Sequence, residues 1–312
     1  MTTVAAKRKK GEKAPAGSLW YRIKKNRMGY VFILPYVLLF LLFTILPVAI
    51  SIIFSFTSFN VFQMPTFTGL DNYIALFTTD PYFIKAIKNT VIIAAITGPG
   101  GYILSFAFAW ILNELPRGVR TVATVLLYAP TLSGNMYLIF TIFFSGDSYG
   151  YANSILYNLG LISEPIQWLR DSRFMLLILV VIILWTSLGT GFLAFVAGFQ
   201  GIDRSLYEAA AVDGVRNRWQ ELWFVTLPMI RPQMLFGAVM SITSSFGVGT
   251  IVTAMAGFPS ANYAAHTMIN HLEDYGSMRY ELGYACAIAT ILFVIMLVCN
   301  FAVRRLLSKV GT

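Results

Sequence analysis

The residues that could do chemistry in the second half of this chain lie in one charged stretch, Tyr207–Pro232, between two long apolar runs. It reads YEAAAVDGVRNRWQELWFVTLPMIRP. The alanines favour a short helix over 206–212, and Gly214 favours a turn because glycine accepts a positive φ. Tryptophan and leucine at helical spacing predict a second, amphipathic helix over 218–224. We interpret the stretch as a helix-turn-helix elbow at a membrane face; the alternative, an ordinary loop, would be short and polar.

Motifs for enzymatic chemistry are missing from the sequence. There is no G-x-x-x-x-G-K-[ST] motif and no Gly-Lys pair, so the chain does not hydrolyse ATP by a P-loop. His266 and His271 are five residues apart without a fixed third ligand, and we interpret them as solvated loop histidines rather than metal ligands. No nucleophile motif accompanies them, so we predict no catalytic residue, no metal site and no cofactor.

The composition indicates a membrane protein. Of the 312 residues, 57% are hydrophobic and 12% are charged, which is about half the charged share of a soluble domain. A net charge of +9 would favour nucleic acid on a soluble domain, but here the basic residues lie at the ends of apolar runs. The predicted partner is therefore a lipid membrane and not nucleic acid. Cys286 and Cys299 lie on one run, about 20 Å apart, and are interpreted as buried thiols without a mutual disulfide.

Six apolar runs, each near the ~20 residues that cross a bilayer, predict an all-α protein with six transmembrane helices. Gly98-Pro99-Gly100-Gly101 predicts a break or kink in the second run, and Pro47 and Pro130 predict kinks in the first and third. We divide the chain into a basic tail, residues 1–29, and a six-helix domain, residues 30–312. The runs are placed at residues 31–57, 88–112, 121–145, 174–199, 233–256 and 282–303.

The distribution of basic residues predicts the orientation. With the N-terminus in the cytoplasm, 18 of the 23 Lys and Arg residues fall on the cytoplasmic side. Cytoplasmic segments of membrane proteins carry such an excess of positive charge. We therefore expect a multi-pass protein of the cytoplasmic (inner or plasma) membrane, with the elbow and both termini inside.

The elbow resembles the EAA loop of ABC importer membrane subunits. The resemblance is carried by Glu208-Ala209-Ala210, by Gly214 six residues after the glutamate, and by Leu227-Pro228. This chain has ten residues where the family pattern has nine, which leaves the register of the second short helix open. Gly69-Leu70-Asp71-Asn72-Tyr73 and Phe32-Ile33-Leu34-Pro35 resemble the carbohydrate-importing branch, the maltose and glycerol-phosphate type permeases.

This resemblance implies a type I importer permease that translocates a carbohydrate, with an oligosaccharide favoured. In that family the elbow is a coupling helix seated in a groove of a separate ATPase subunit, so the chain itself is not an enzyme. The implied partners are a second, homologous permease, cytoplasmic ATP-binding subunits and an extracytoplasmic sugar-binding protein. The implied ATPase-coupling residues are Glu208, Ala209, Ala210, Asp213, Gly214, Leu227 and Pro228.

The same resemblance places the solute against the fourth and fifth runs. Carried over by position, the substrate-binding candidates are Gly189, Phe192, Thr243, Ser244 and Gly247. Asn135 and Tyr137 in the third run are further candidates by polarity alone. The alternative is that these small and polar residues pack helices together, as they do in many membrane proteins.

Apart from Lys88 at the edge of the second run, the apolar runs contain no Asp, Glu, Lys, Arg or His. This favours a neutral substrate and an external energy source. Two other functions stay open on sequence grounds. A self-contained secondary transporter would need intramembrane charge or an inverted repeat, and neither is evident. A membrane scaffold without transport would leave the charged elbow without a partner.

Overall fold

The computed structural model describes residues 26–307, and the regular structure in that range is helical apart from two isolated bridges. The predicted all-α class is confirmed. Most of the predicted basic tail, residues 1–25, lies outside the described residues, and the first described helix begins at Arg27, inside the predicted tail. The helices are α1 Arg27–Phe40, α2 Leu46–Phe54, α3 Asp71–Thr78, α4 Pro81–Asn113, α5 Arg117–Ser133, α6 Ile139–Phe143, α7 Tyr151–Asn158, α8 Ser172–Thr186, α9 Thr190–Gln200, α10 Arg204–Val212, α11 Arg218–Glu221, α12 Leu227–Met229, α13 Arg231–Phe246, α14 Gly249–Ala256, α15 Met268–Glu273 and α16 Leu282–Leu307.

Short π- and 3-10-helical turns join several of these helices. The π-helical turns are Leu41–Ile45, Leu222–Thr226 and Asp274–Met278, and the 3-10 turns are Met136–Leu138 and Ala261–Tyr263. The turn at Leu41–Ile45 lies directly before Pro47, which cannot donate a backbone hydrogen bond into the preceding turn.

Five of the six predicted spans are long, apolar helices within the described range. They are Arg27–Phe54, Pro81–Asn113, Ser172–Gln200, Arg231–Ala256 and Leu282–Leu307. The third predicted run is instead a bent pair of helices, Arg117–Ser133 and Met136–Phe143, which meet at 88°. The bend follows from Gly134, whose φ of +66° ends α5. Six spans result only if this bent pair is counted as one.

Of the predicted break or kink at residues 98–101, the break is wrong, because α4 runs unbroken over its 33 residues with Pro99 inside it. The glycines there allow close packing instead. A Cβ at Gly101 would lie 2.8 Å from Ser187 Oγ, and one at Gly100 would lie 2.8 Å from Leu184 Cδ2. Ser241 Oγ also donates to Gly98 O at 2.6 Å. Small residues at a membrane helix contact let backbones approach in this way.

Helix α4 is the central element of residues 51–307, and it packs against α9 and α13. Phe192, Phe195 and Phe199 of α9 are buried beside it in one core cluster. That cluster also contains Leu222, Leu227 and Ile230, so the elbow shares its core with the spans. Cys286 and Cys299 are free and half-buried on α16, less buried than expected.

The described residues up to Ile50 belong to a separate compact unit. Its described residues are nearly all apolar from Met28 onward, and their side chains are exposed on every side of the helix. A helix that is hydrophobic all round is stable only when lipid or protein surrounds it. This unit therefore supports the membrane assignment.

Candidate functional site

The elbow has the predicted helix-turn-helix form, and its first helix begins upstream of Tyr207, at Arg204. Asp203 caps α10 by accepting from Ser205 N at 3.0 Å, and Asn217 caps α11 by accepting from Gln220 N at 2.8 Å. Side-chain oxygens at helix N-caps satisfy backbone donors that otherwise have no partner. Since α10 starts at Arg204, Glu208 lies in its second turn rather than at its start. Glu208 is therefore too far along the helix to interact with its positive end.

Gly214 sets the angle between the two arms of the elbow. Its φ is +96°, in the region that glycine adopts and other residues resist. A Cβ at this position would meet no atom within 4 Å. Residue 214 is therefore restricted to glycine by its backbone conformation and not by steric contact with neighbouring atoms.

The predicted coupling residues separate into an outward group and an anchoring group. Glu208, Ala209, Asp213 and Gly214 are exposed, and Ala210 is half-buried. Leu227 is buried in the core cluster and Pro228 is half-buried beside it. Val212, which the sequence reasoning passed over, is the most exposed apolar side chain of the elbow, at 88%. The first arm, α10, thus presents an exposed surface. The second arm, from α11 to α12, packs the elbow against the spans.

Two contacts attach the elbow to the end of α4, and a third, within the elbow, orients Arg218. Arg218 Nη2 donates to Glu114 Oε2 at 2.8 Å, and Arg218 Nη1 donates to Glu221 Oε2 at 2.8 Å. The rings of Trp110 and Trp219 lie 5.2 Å apart. The ion pairs are exposed and contribute little stability, but they set the orientation of α11 relative to α4. Tyr207 OH also lies 3.0 Å from Thr226 Oγ1, which joins the two arms directly.

A cleft of about 1100 Å³ lies between the elbow, the end of α4 and the start of α5. Both arginines and glutamates line the cleft, so it is charged without a large excess of positive or negative residues. Its charged lining residues are Glu114, Arg117, Arg120, Arg204, Glu208, Arg218 and Glu221. Glu208 therefore faces an opening that a partner side chain could enter.

The predicted substrate residues of α13 form one exposed face. Met240, Thr243 and Ser244 are exposed on that helix, and Gly247, which ends it, is exposed as well. Thr243 Oγ1 donates to Val239 O at 2.9 Å and Ser244 Oγ donates to Ser241 O at 3.0 Å. The hydroxyl donors are thus used, while the hydroxyl oxygens stay available as acceptors.

The remaining substrate candidates have different surroundings. Phe192 is fully buried in the core, so its predicted contact with a solute is wrong for this conformation. Gly189 is half-buried at the break between α8 and α9. Asn135 is exposed at the bend after α5 and accepts from Tyr137 OH at 3.2 Å, while Tyr137 is itself buried. The structure thus leaves Gly189 and Asn135 accessible, apart from the face of α13.

The prediction of solvated histidines is wrong. His266 and His271 are 1% and 2% exposed; they contact each other, and His271 also contacts Asp80. Sequence reasoning missed Asp80 because it began the second span at residue 88. The available signal was Asp80-Pro81, an N-cap residue followed by a proline at the first helical position. In residues 26–307 no three His, Cys, Asp or Glu side chains are grouped to hold a metal ion.

Comparison with known proteins identifies the family. Residues 98–312 match the family described as binding-protein-dependent transport system inner membrane component. The chain belongs to this family. The permease is 30% identical to the lactose transport system permease protein LacF of Rhizobium radiobacter, covering 86% of this chain and 89% of LacF. It is 29% identical to the arabinooligosaccharides transport system permease protein AraP of Bacillus subtilis (strain 168), covering 90% and 89%.

The permease is also similar to a solved structure. That structure is a bacterial ABC transporter involved in the import of the acidic polysaccharide alginate. The TM-score is 0.72 at 27% identity, over 92% of this chain and 98% of the other. The resemblance to ABC importer membrane subunits is confirmed, and so is the importer permease fold. The permease is a membrane transport subunit rather than an enzyme.

Proposed function

We propose that the permease translocates a carbohydrate, with an oligosaccharide favoured, into the cytoplasm. The relatives named for lactose and arabinooligosaccharides support this substrate class, as does the alginate importer. A second solved structure of that importer, 26% identical with a TM-score of 0.73, is in complex with a pentasaccharide-bound periplasmic protein. The partners are a second permease, cytoplasmic ATP-binding subunits and an extracytoplasmic sugar-binding protein.

The observation that carries the proposal is the form of the elbow. Its first arm exposes Glu208 and Val212, and its second arm is anchored to α4 and to the core of the spans. A rigid projection of this kind passes a displacement from a docked ATPase to the membrane helices. ATP-driven closure of the ATPase subunits would move the elbow as a lever and tilt the spans between inward- and outward-facing states. A self-contained secondary transporter would not use such a lever.

The proposed substrate class is tested by uptake into proteoliposomes that hold the complete complex. We expect ATP-dependent accumulation of at least one labelled oligosaccharide, and no accumulation of amino acids or dipeptides supplied with the same binding protein. A panel limited to neutral and acidic oligosaccharides is the first choice, since both occur among the similar proteins. Selective accumulation of a peptide or an amino acid would overturn the carbohydrate assignment.

The orientation is tested by reporter fusions. Fusions after Gly150 and after Ala265 should report the outer side, and fusions after Arg117 and after Arg218 the cytoplasmic side. The reason is the excess of basic residues in the segments that we place inside. A cytoplasmic signal from the fusion after Ala265 would contradict the arrangement of the last two spans.

A further inference from the structure

A buried polar cluster lies at the end of α4 that is opposite the elbow. We call it the Asp80 cluster, and it consists of Asp80, His266, His271, Tyr275 and Tyr284. Helix α4 has 33 residues and so spans about 50 Å, with Glu114 and the elbow at its other end. The cluster and the elbow therefore belong to opposite faces of the membrane.

Asp80 is an acceptor for five donors, and its side chain is 6% exposed. An ionised carboxylate accepts hydrogen bonds at both oxygens and donates none, which suits this arrangement. Burial alone would raise the pKa of Asp80, but His271 and the hydrogen bonds from Phe83 and Tyr284 bring that pKa below its ordinary value. Oδ1 accepts from Tyr82 N and Phe83 N, each at 3.0 Å, and Oδ2 accepts from His271 Nε2 at 2.9 Å, Tyr284 OH at 3.1 Å and Tyr275 OH at 3.2 Å.

These contacts determine the protonation of the two histidines. Because His271 Nε2 donates to Asp80, the Nδ1 of a neutral His271 is an acceptor. His266 Nε2 lies 3.2 Å from that Nδ1 and must donate to it. Burial, together with the nearby His271, lowers the pKa of His266 to about 4. Burial lowers the pKa of His271 as well. With both rings neutral, these hydrogen bonds form one directed chain that ends on the carboxylate.

The Asp80 cluster joins three parts of the molecule. Asp80 is the N-cap of α4, Tyr284 lies on α16, and the histidines belong to the connection between α14 and α16, residues 257–281. Four further hydrogen bonds hold the same connection to α4, among them Asn89 Nδ2 to Tyr263 O at 3.2 Å and Met268 N to Thr90 Oγ1 at 2.9 Å. Asn89 Nδ2 also donates to His266 O at 3.0 Å, and Lys85 Nζ donates to Asn262 O at 3.0 Å.

Charged groups around the cluster come from each packed element. Asp274 and Arg279 on the connection form an ion pair at 2.6 Å, and Glu281 precedes α16. Asp80 and Asp274 act to raise the pKa values of both histidines, while Arg279 acts to lower the pKa of His271. Lys85 of α4 is engaged with a backbone carbonyl rather than with the rings. Burial outweighs these charges, so the pKa of each histidine lies below its ordinary value.

We propose that Asp80 is a positioning residue for transport. Its cluster holds the outer ends of α4 and α16 and the connection 257–281 together as one body, and protonation of the two histidines releases that body. The role in transport depends on the proposed function, whereas the release by acid is a property of the chain itself. Asp80 contacts no solute in this arrangement and acts through the helices that it joins.

The geometry explains why acid releases the cluster. The cluster can hold one added proton. His271 is then the cation: its Nε2 donates to Asp80, and its Nδ1 donates to His266, whose own proton has moved to the other ring nitrogen. A second proton places two N–H groups face to face across the 3.2 Å contact, and the contact breaks. A histidine with a lowered pKa stabilises the closed form above pH 6.5, and that stabilisation is lost as the pH falls towards about 4. For His266 alone, linkage predicts that the ratio of open to closed forms rises about 30-fold between pH 7.5 and pH 5.

The test is hydrogen exchange of residues 257–281 in the assembled complex in lipid nanodiscs, at pH 7.5 and pH 5, corrected for the intrinsic rate. His266 and His271 are the only two histidines in the sequence, so His266→Gln with His271→Gln removes all histidine titration from this chain. Glutamine at 271 can still donate to Asp80. In the wild type we expect protection to fall about 30-fold or more at pH 5, and in the double variant to stay the same. An equal fall in both proteins would overturn the proposal.

A second comparison distinguishes a positioning role of Asp80 in transport from a purely structural role. Asp80→Asn should lose protection of residues 257–281 at pH 7.5 already and should lower uptake, while ATPase association is kept. Uptake by the wild type should fall when the outside is brought to pH 5, and uptake by the double histidine variant should not. Asp147→Asn, at an exposed carboxylate of another outer loop, is the matched control. Unchanged protection in Asp80→Asn would contradict the proposal. If that variant does not assemble, the double histidine variant decides.

Discussion

Glu208→Lys should reduce uptake at least about 30-fold while leaving the permease folded and in the membrane. Glu208 is exposed in the middle of α10 and caps no backbone donor, so its loss removes no structural contact. If it meets a basic group of the ATPase, its truncation costs about 2–5 kcal/mol at an interface, and charge reversal costs more. A cost of about 2 kcal/mol corresponds to roughly a 30-fold loss.

The matched control for this variant is Glu164→Lys, which makes the same charge change at an exposed site in the loop between α7 and α8. We expect normal uptake from it. Both proteins are compared by uptake into vesicles at equal amounts of permease. Full uptake in Glu208→Lys would remove Glu208 from the coupling contact.

Gly214→Val belongs to the same prediction, because it re-aims the arm that carries Glu208. A β-branched residue resists the φ of +96° found here, at a cost of about 1–2 kcal/mol. Gly118→Val is the matched control, since its Cβ also meets open space but its backbone is ordinary helix. The double variant of Glu208 and Gly214 should lose little more than the worse single variant, because both changes act on one docking event.

Ser244→Trp should reduce uptake to background while the complex still assembles. Ser244 lies on the exposed face of α13 with Met240 and Thr243, and an indole there would fill the space that small residues leave. Since the side chain is exposed, the larger ring meets no core atom and the helix is kept. The measurement is uptake of the labelled oligosaccharide, with pull-down of the partner subunits to verify assembly.

Ser244→Ala is the control, because it removes the hydroxyl without adding bulk. The Ser244 hydroxyl donates to a backbone carbonyl of its own helix, so its loss should change uptake by less than about threefold. Normal transport by Ser244→Trp would mean that this face packs against lipid or another subunit and does not line the path.

The elbow could be predicted because its determinants are local. Ala209 to Ala211 favour a helix, and Gly214 is placed where a positive φ is required, so the sequence alone indicates both arms and the turn. The sequence predicts the start of α10 less accurately. Its cap is Asp203, upstream of the motif, and this shifts Glu208 into the second turn.

The Asp80 cluster could not be predicted in the same way because its contacts are distant in sequence. Asp80 and His271 are 191 residues apart, and hydropathy treats each as a polar residue of a loop. The packing of the α4 glycines also depends on residues that are distant in sequence. Gly98 and Gly101 read as breakers locally, but their function in the fold is to admit the side chains of Ser245 and Ser187. Phe192 is similar, since its burial depends on how α9 packs against α4.

Docking of an ATPase on the elbow is the central claim, and the amount of ATPase that co-purifies with the permease tests it most directly. The wild type and Glu164→Lys should retain the ATPase subunit in fixed proportion through purification in mild detergent. Glu208→Lys should lose most of it, in parallel with its loss of uptake. A wild-type permease that transports its solute without any associated ATPase would contradict the account, as would a Glu208→Lys variant that retains both ATPase and full uptake.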